Sequence, residues 1–271
     1  FLILPYYSVI GGWVVKYFAV FVSGGAGNAA ADDFFTGFIS KPLEPIIWQA
    51  LFVAATFLVV VRGVKKGIES ASKILMPLLV ALCLILSIYS ITLPGAWEGV
   101  KYYLLPDFSH FSSKTVLAAL GQMFYSLSLA MGIMITYGSY LRREDNLEQS
   151  VKQIALFDAG IAFLAGLMIV PAVFAFNRDM LGAGPGLMFI TLPKVFTNTG
   201  AGNIIGTVFF LLVIFAALTS AISLMEAVVS TVCDQFKIKR TPASIIVAAL
   251  AILLGIPSSL GYGPWESVRI L

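Results

Sequence analysis

The sequence predicts an all-α polytopic membrane protein with seven spanning helices, and three observations lead to this fold class. Hydrophobic residues occupy 59% of the 271 positions and charged residues only 11%, whereas soluble domains carry about 25% charged residues. The apolar residues form long blocks, and a helix needs about 20 residues to cross a bilayer. The blocks lack the alternation of apolar and polar residues that is typical of strands in membrane barrels.

Seven apolar blocks give the order of the predicted helices, and segments rich in charge, Gly and Pro separate them. The blocks cover residues 1–22, 46–61, 74–93, 115–141, 154–176, 204–233 and 243–260. They predict one transmembrane domain over residues 1–271, multi-pass in the cell (plasma) membrane, with the lipid bilayer as a partner. The chain starts inside a block at Phe1 without a basic flank. The first block therefore does not resemble a signal peptide, and we expect a truncated N-terminus.

The distribution of Lys and Arg predicts the orientation of the helices. Three loops, 62–73, 142–152 and 234–240, hold ten of the seventeen basic residues. Short loops rich in Lys and Arg stay in the cytoplasm. The remaining segments, 23–45, 94–114, 177–203 and 261–271, are then expected to face outward. The net charge of +3 reflects this topology, and no nucleic-acid partner is predicted.

Four side chains that could carry chemistry have plain structural interpretations. Lys16 lies near the outer surface, where its long side chain can reach the interface. Cys83 and Cys233 fall in separate apolar blocks and are expected to be buried thiols. The only histidine, His110, falls in an outer loop and is expected to be solvated. No nucleophile with a base and no metal cluster is indicated, so an enzyme is not predicted.

The fourth block contains small and polar residues close to mid-membrane. Gly121, Ser126, Ser128 and Gly132 lie in GQMFYSLSLAMG with few strong helix formers between them. One interpretation is a helix broken near 126–130, whose free backbone groups line a cavity or bind a ligand. The other is a continuous helix in which Ser bonds back to the preceding turn.

The fifth block carries one acidic residue, Asp158. No other charged residue lies between Lys152 and Arg178, so an ionised carboxylate there needs a cation or must take up a proton. A cation site is the interpretation we favour. The alternative is a protonated Asp158 that is hydrogen-bonded to a neighbouring helix.

The sixth block places Ala216, Thr219 and Ser220 at i, i+3 and i+4, and therefore on one helical face. Hydroxyl and carbonyl oxygens suit a hard cation such as sodium. Close packing of small residues between membrane helices is the alternative. Glu226 lies two turns further on in the same block, and no role is assigned to it.

Five segments together resemble the neurotransmitter:sodium symporter family, especially its bacterial amino-acid transporters. They are VRGVKKGIESASKILMP (61–77), GQMFYSLSLAMG (121–132), ITYGSYLRRED (135–145), FITLPKVF (189–196) and ALTSAISLMEA (217–227). The resemblance implies a partial LeuT-type inverted-repeat fold, in which the seven blocks are the third to ninth of the family's twelve helices. The missing transmembrane helices would then be partners of this chain.

The resemblance also implies ion and substrate sites. One sodium ion would take Ser126 and Asp158, and a second would take Ala216, Thr219 and Ser220. Tyr7 would bond the substrate carboxylate and Tyr125 would close the pocket. The implied substrate-binding residues are Ile3, Tyr7, Tyr125, Ser128, Met131, Ser220 and Leu224. Met131 stands where some relatives have Phe, and its flexible thioether favours aliphatic as well as aromatic amino acids.

The predicted function is sodium-coupled symport of hydrophobic amino acids by alternating access, with two sodium ions and no organic cofactor. Asp158 replaces an Asn of many relatives and Ala162 replaces a Ser, so the fixed carboxylate can stand in for chloride and transport is expected to be chloride-independent. Ala130 stands where many relatives have Gly, so the details of the pocket at this position do not follow from the resemblance. The chain alone is expected to be inactive. There are two alternatives. One is a proton-coupled permease of the same fold in which Asp158 titrates, and the other is a non-transporting membrane scaffold.

Overall fold

The computed structural model describes residues 1–176, 184–198, 200–263 and 265, without the side chain of His110. Every regular element in these ranges is a helix, which confirms the all-α prediction. The α-helices are α1 Ile3–Val22, α2 Ala26–Ala29, α3 Phe34–Ile39, α4 Glu44–Val60, α5 Ser70–Ile91, α6 Ala96–Leu104, α7 Ser113–Ser126, α8 Ile133–Ser139, α9 Leu147–Phe176, α10 Leu192–Thr197, α11 Gly202–Phe236 and α12 Arg240–Leu260. Two π-helical turns, Val64–Glu69 and Leu187–Thr191, and a 3-10 turn, Phe108–His110, lie between them.

Each of the seven apolar blocks contains a helix or, in the fourth, two. Five helical stretches of the described chain are long and apolar enough to cross a membrane: Ile3–Val22, Val64–Ile91, Leu147–Phe176, Gly202–Phe236 and Arg240–Leu260. The shorter α4 covers the second block. Helix α9 begins at Leu147 rather than at 154, because its first two turns are polar and hydropathy does not signal them.

The contacts divide the chain into two compact units. The first unit comprises residues 1–82 and 179–271, and the second comprises residues 83–178. The single transmembrane domain expected from the sequence stays a prediction.

In the first unit, α1 lies at the centre and contacts α4, α11 and α12. Two glycines of α1 allow the close approach of α4. A Cβ at Gly12 would lie 2.5 Å from the backbone nitrogen of Gln49, and one at Gly11 would meet the ring of Phe52. Towards its predicted outer end, α1 buries Trp13 and Tyr17 in a cluster of aromatic rings. Helices α1 and α4 thus pack closely against each other, and both contact α11.

In the second unit, α6 packs across α9. A Cβ at Gly99 would lie 2.8 Å from the Cα of Pro171 and from the Cβ of Phe174, so only glycine fits at this crossing. The hydroxyl of Ser87 on α5 donates a 2.9 Å hydrogen bond to the carbonyl of Leu164 on α9. Helix α9 is thus held from two sides within this unit, and it carries Asp158.

Candidate functional site

The fourth apolar block is an interrupted helix. Helix α7 ends at Ser126 and α8 begins at Ile133, and the residues between them form turns and bends. Ser128, Ala130 and Gly132 have positive φ angles of 55°, 61° and 77°. Positive φ costs a residue with a Cβ on the order of 1 kcal/mol. The helix of the fourth block is therefore broken in the structure and not continuous.

The break frees backbone groups for other partners. Helix α7 closes with short-range bonds from the amides of Leu127 and Leu129 to the carbonyls of Met123 and Phe124. The carbonyl of Gly132 starts α8 by accepting from the amide of Thr136 at 3.0 Å. Backbone groups that leave the helical pattern at membrane depth are tolerated where they line a cavity or bind a ligand.

The last residue of α7 contacts the middle of α9. The Oγ atom of Ser126 donates a hydrogen bond of 2.5 Å to Oδ1 of Asp158, a length typical of a hydroxyl bound to a carboxylate. Asp158 is half-buried, and no Lys or Arg of the described chain forms an ion pair with it. Two hard oxygen atoms, one of a hydroxyl and one of a carboxyl group without an ion-pair partner among the described residues, thus lie together beside the break. This arrangement suits a small cation better than a neutral ligand.

The predicted second ion site lies on α11. The hydroxyl of Thr219 donates to the carbonyls of Phe215 and Ala216, both at 3.0 Å, and that of Ser220 donates to the carbonyl of Ala216 at 3.1 Å. Each hydroxyl proton is engaged within the helix, so the lone pairs of both oxygens stay available to a cation. Thr219 is half-buried and Ser220 is exposed. These oxygen atoms are of the kind that sodium prefers as ligands. Close packing of small residues between helices would explain the same helix face equally well.

The seven predicted substrate-binding residues are distributed over both units. Tyr7 is half-buried and packs against a cluster that includes Ala217 and Ala221, on the helix that carries Ser220. In the second unit Tyr125 is half exposed at the end of α7. The first unit also holds Ile3 and Leu224, and the second holds Ser128 and Met131. Their role in binding substrate stays a prediction.

A buried ion pair that the sequence did not reveal lies at the predicted cytoplasmic end of the first unit. Glu226 is fully buried, and Arg240 bonds both of its carboxylate oxygens, one of them at 3.0 Å. The same guanidinium donates to the carbonyl of Val60 at 2.9 Å from Nε and 2.7 Å from Nη2. The spacing of Glu226 and Arg240 in the sequence does not predict this ion pair, because the turn after α11 brings the two charges together. Arg240 therefore joins α4, α11 and α12.

Lys16 lies beside the first turn of α4. Its ammonium forms an ion pair with Glu44 at 2.6 Å and lies 5.6 Å from the ring centre of Trp48, and its position at the membrane interface stays a prediction. Burial raises the pKa of Glu44, but hydrogen bonds from Lys16 and Lys41 outweigh it and leave the pKa below its ordinary value.

Two further expectations concern single side chains. Cys83 is buried as expected, whereas Cys233 is only half-buried because it lies near the end of α11. The expectation for the side chain of His110 falls outside the described residues, as do parts of the loops 177–203 and 261–271.

Comparison with known proteins supports the resemblance. Residues 41–263 match the profile of the sodium:neurotransmitter symporter family. The chain is 41% identical over 273 residues to the uncharacterized sodium-dependent transporter YhdH of Bacillus subtilis, covering 100% of this chain and 60% of that protein. It is 37% identical over 276 residues to an uncharacterized sodium-dependent transporter of Haemophilus influenzae, covering 99% of this chain and 60% of that protein.

A solved structure matches the whole chain. The crystal structure of MhsT in complex with L-phenylalanine superposes with a TM-score of 0.89 at 45% sequence identity, covering 100% of this chain and 62% of that one. This match confirms the partial LeuT-type fold. The chain spans about 60% of the length of the relatives that it matches.

Proposed function

The chain belongs to the sodium:neurotransmitter symporter family, and from this premise we propose that it forms the central part of a sodium-coupled amino-acid symporter that works by alternating access. The family consists of multi-pass transporters of the cell membrane and uses sodium. The observation that carries the proposal is the hydrogen bond of Ser126 to Asp158 beside the broken helix.

In the proposed first ion site, Na⁺ is a co-substrate that binds to Ser126 and Asp158. The ion loses hydration water and gains a hydroxyl oxygen and a carboxylate oxygen, the hard ligands that such a cation prefers. The negative charge offsets the cost of moving a cation into a low-dielectric region. Carbonyl groups freed by the break in the helix can supply further ligands.

In the proposed second ion site, Na⁺ binds to the hydroxyl oxygens of Thr219 and Ser220 and to the carbonyl of Ala216, which releases the hydrogen bonds that it accepts from these hydroxyls when the ion binds. These groups occupy successive positions of one face of α11. No carboxylate belongs to the set, so we expect this site to bind its ion more weakly and to depend on the remaining ligands supplied by the full-length protein.

The proposed substrates are hydrophobic amino acids, both aliphatic and aromatic. MhsT, to which the chain is 45% identical, was solved in complex with L-phenylalanine. The predicted lining is mostly apolar, with Ile3, Met131 and Leu224 for the side chain and the hydroxyl of Tyr7 for the carboxylate. The remaining proposed substrate-binding residues are Tyr125, Ser128 and Ser220. Such a mixture of apolar lining and few polar groups is common in sites for small ligands.

Transport is proposed to be independent of chloride. In this proposal Asp158 supplies a negative charge next to the first ion, so a bound anion is not required for charge balance. Ala162, one turn further along α9, offers no hydroxyl to hold such an anion.

Uptake by the full-length protein in proteoliposomes tests the proposal. We expect uptake of L-leucine and L-phenylalanine driven by an inward sodium gradient, with no proton gradient present. Uptake driven by a proton gradient alone would favour a proton-coupled permease. Binding of neither amino acid, with or without sodium, would favour a scaffold. The chain of 271 residues alone is expected to be inactive in the same assay.

A further inference from the structure

The segment that follows α5 is expected to lie at the level of the lipid headgroups. Helix α5 is part of a stretch that can cross a membrane and that ends at Ile91, and α6 begins only a short turn later at Ala96. Helix α6 buries Ala96, Gly99 and Val100. Its other side exposes aromatic residues, with Trp97 62% exposed and Tyr102 57% exposed. Trp and Tyr are enriched where a membrane protein meets the headgroups.

Beside α6 lies an open cavity of about 990 Å³ within the second unit. Three charged residues and three aromatic residues line most of it: Glu98, Lys101, Asp107, Tyr102, Tyr103 and Phe174. The rings of Tyr102 and Phe174 are 5.0 Å apart, centre to centre, and tilted by 38°. Within the described chain, neither Glu98 nor Lys101 forms an ion pair. The cavity therefore presents charge that has no partner in its own unit.

The signs of these charges favour a ligand that carries both a cation and an anion. Asp107 accepts a 2.8 Å hydrogen bond from the amide of Ser109, and hydrogen bonding by Ser109 lowers its pKa, so it is ionised at neutral pH. The carboxylates of Glu98 and Asp107 and the paired rings of Tyr102 and Phe174 attract an ammonium group. Lys101 attracts an anion such as a phosphate.

A half-exposed aromatic ring on α9 lies beside the cavity, on the side expected to face the membrane interior. Tyr103 lines the cavity and its ring lies 5.7 Å from that of Phe163. Phe163 is 48% exposed and precedes Phe174 on α9 by about three helical turns. A ligand with a charged head and an acyl chain would meet both surfaces, whereas a small soluble ligand would use the cavity alone.

We propose that this cavity binds the headgroup of a zwitterionic phospholipid, with the ammonium group near Asp107 and Glu98 and the phosphate at Lys101. The lipid is a component of the outer leaflet if the loop 94–114 faces outward as predicted. The proposal concerns a surface that contains none of the proposed ion or substrate ligands, so it does not depend on the transport function.

Native mass spectrometry of the full-length protein tests this proposal. The protein is released from micelles that contain equal amounts of phosphatidylethanolamine and phosphatidylglycerol with identical acyl chains. We expect phosphatidylethanolamine to be retained about fivefold better, as a cation–π contact and an exposed ion pair together predict. The double variant Asp107→Asn, Glu98→Gln should lose this preference. The matched control is Glu148→Gln, which removes an exposed carboxylate from the first turn of α9 and should keep it.

Three outcomes would overturn the proposal. The first is equal retention of both lipids by the unmodified protein, and the second is a preference that survives in the double variant. The third is displacement of the lipid by an equimolar amount of soluble phosphorylethanolamine, which would identify a site for a free headgroup. Thermal unfolding of the lipid-free variants shows whether each one is folded, and sodium-driven uptake should be the same in all of them.

Discussion

The hydroxyl of Ser126 donates a 2.5 Å hydrogen bond to the carboxylate of Asp158, two residues that lie 32 positions apart in the sequence. The bond joins the point where α7 stops to the middle of the apolar helix α9. Because the carboxylate has no ion-pair partner among the described residues, the pair can share its oxygen atoms with a cation.

Loss of the Ser126 hydroxyl should weaken sodium binding. In Ser126→Ala the ion loses one oxygen ligand, and Asp158 loses the donor that orients it. A polar contact worth about 1.4 kcal/mol corresponds to a tenfold change in affinity. We therefore expect the sodium concentration for half-maximal uptake to rise about tenfold. The control is Ser139→Ala, whose hydroxyl donates to the carbonyl of Thr136, one turn before it, at 2.7 Å. An unchanged sodium dependence in Ser126→Ala would remove that residue from the ion site.

Arg240→Ala should strongly destabilise the first unit. The variant leaves the carboxylate of Glu226, which is 0% exposed, without its guanidinium, and breaking a buried ion pair costs about 3–5 kcal/mol. Thermal unfolding in detergent measures the loss, and adding Glu226→Gln should restore part of it. Lys152→Ala breaks an exposed pair with Glu148 and should cost at most about 1 kcal/mol. Equal losses in the two single variants would contradict this account of Arg240.

Acid should remove the stabilising effect of Glu44. Its folded-state pKa lies below the ordinary value because hydrogen bonds from Lys16 and Lys41 outweigh the effect of burial. A lowered pKa means that the carboxylate stabilises the fold above the unfolded-state pKa and loses this effect as the pH falls through the folded-state pKa. The unfolding temperature of the unmodified protein should exceed that of Glu44→Gln at neutral pH.

The difference in unfolding temperature between the unmodified protein and Glu44→Gln should narrow as the pH falls below about 4.3, the ordinary pKa of Glu. Glu69→Gln serves as the control, because its pair with Lys73 is 50% exposed on the Glu side. A difference that widens in acid would show the opposite linkage and would contradict the proposed ion pairs.

Removal of chloride should have little effect on transport. We expect sodium-driven uptake to keep its rate when gluconate replaces chloride, because Asp158 already carries the charge that an anion would supply. In Asp158→Asn this charge is absent, so chloride should accelerate whatever uptake remains. A large loss of rate in the unmodified protein without chloride would reject the assignment of this role to Asp158.

The sequence predicted the helices better than it predicted their contacts. Long apolar blocks identify spanning helices because the bilayer imposes length and composition. The glycine and serine residues at 121–132 indicated a break but left a continuous helix open, since backbone strain at Ser128 and Ala130 cannot be read from residue types. The side-chain contact of Ser126 with Asp158 depends on where the fold places the end of α7 beside α9, and that placement has no local signature in the sequence.

The buried pair of Glu226 and Arg240 illustrates the same limit. Each residue looked ordinary in the sequence: Arg240 as one of several basic residues of a cytoplasmic loop, and Glu226 as an acidic residue without a role. Only the turn between α11 and α12 brings them within 3.0 Å of each other.

Direct binding of ²²Na⁺ to the purified full-length protein tests the central claim, that Asp158 and Ser126 hold a sodium ion. The unmodified protein should bind ²²Na⁺ saturably, and L-phenylalanine should increase the bound amount. Asp158→Ala should lose at least about tenfold in affinity, while Asp145→Asn, an exposed carboxylate in the loop before α9, should bind as the unmodified protein does. Sodium binding of equal affinity in Asp158→Ala and the unmodified protein would contradict the account.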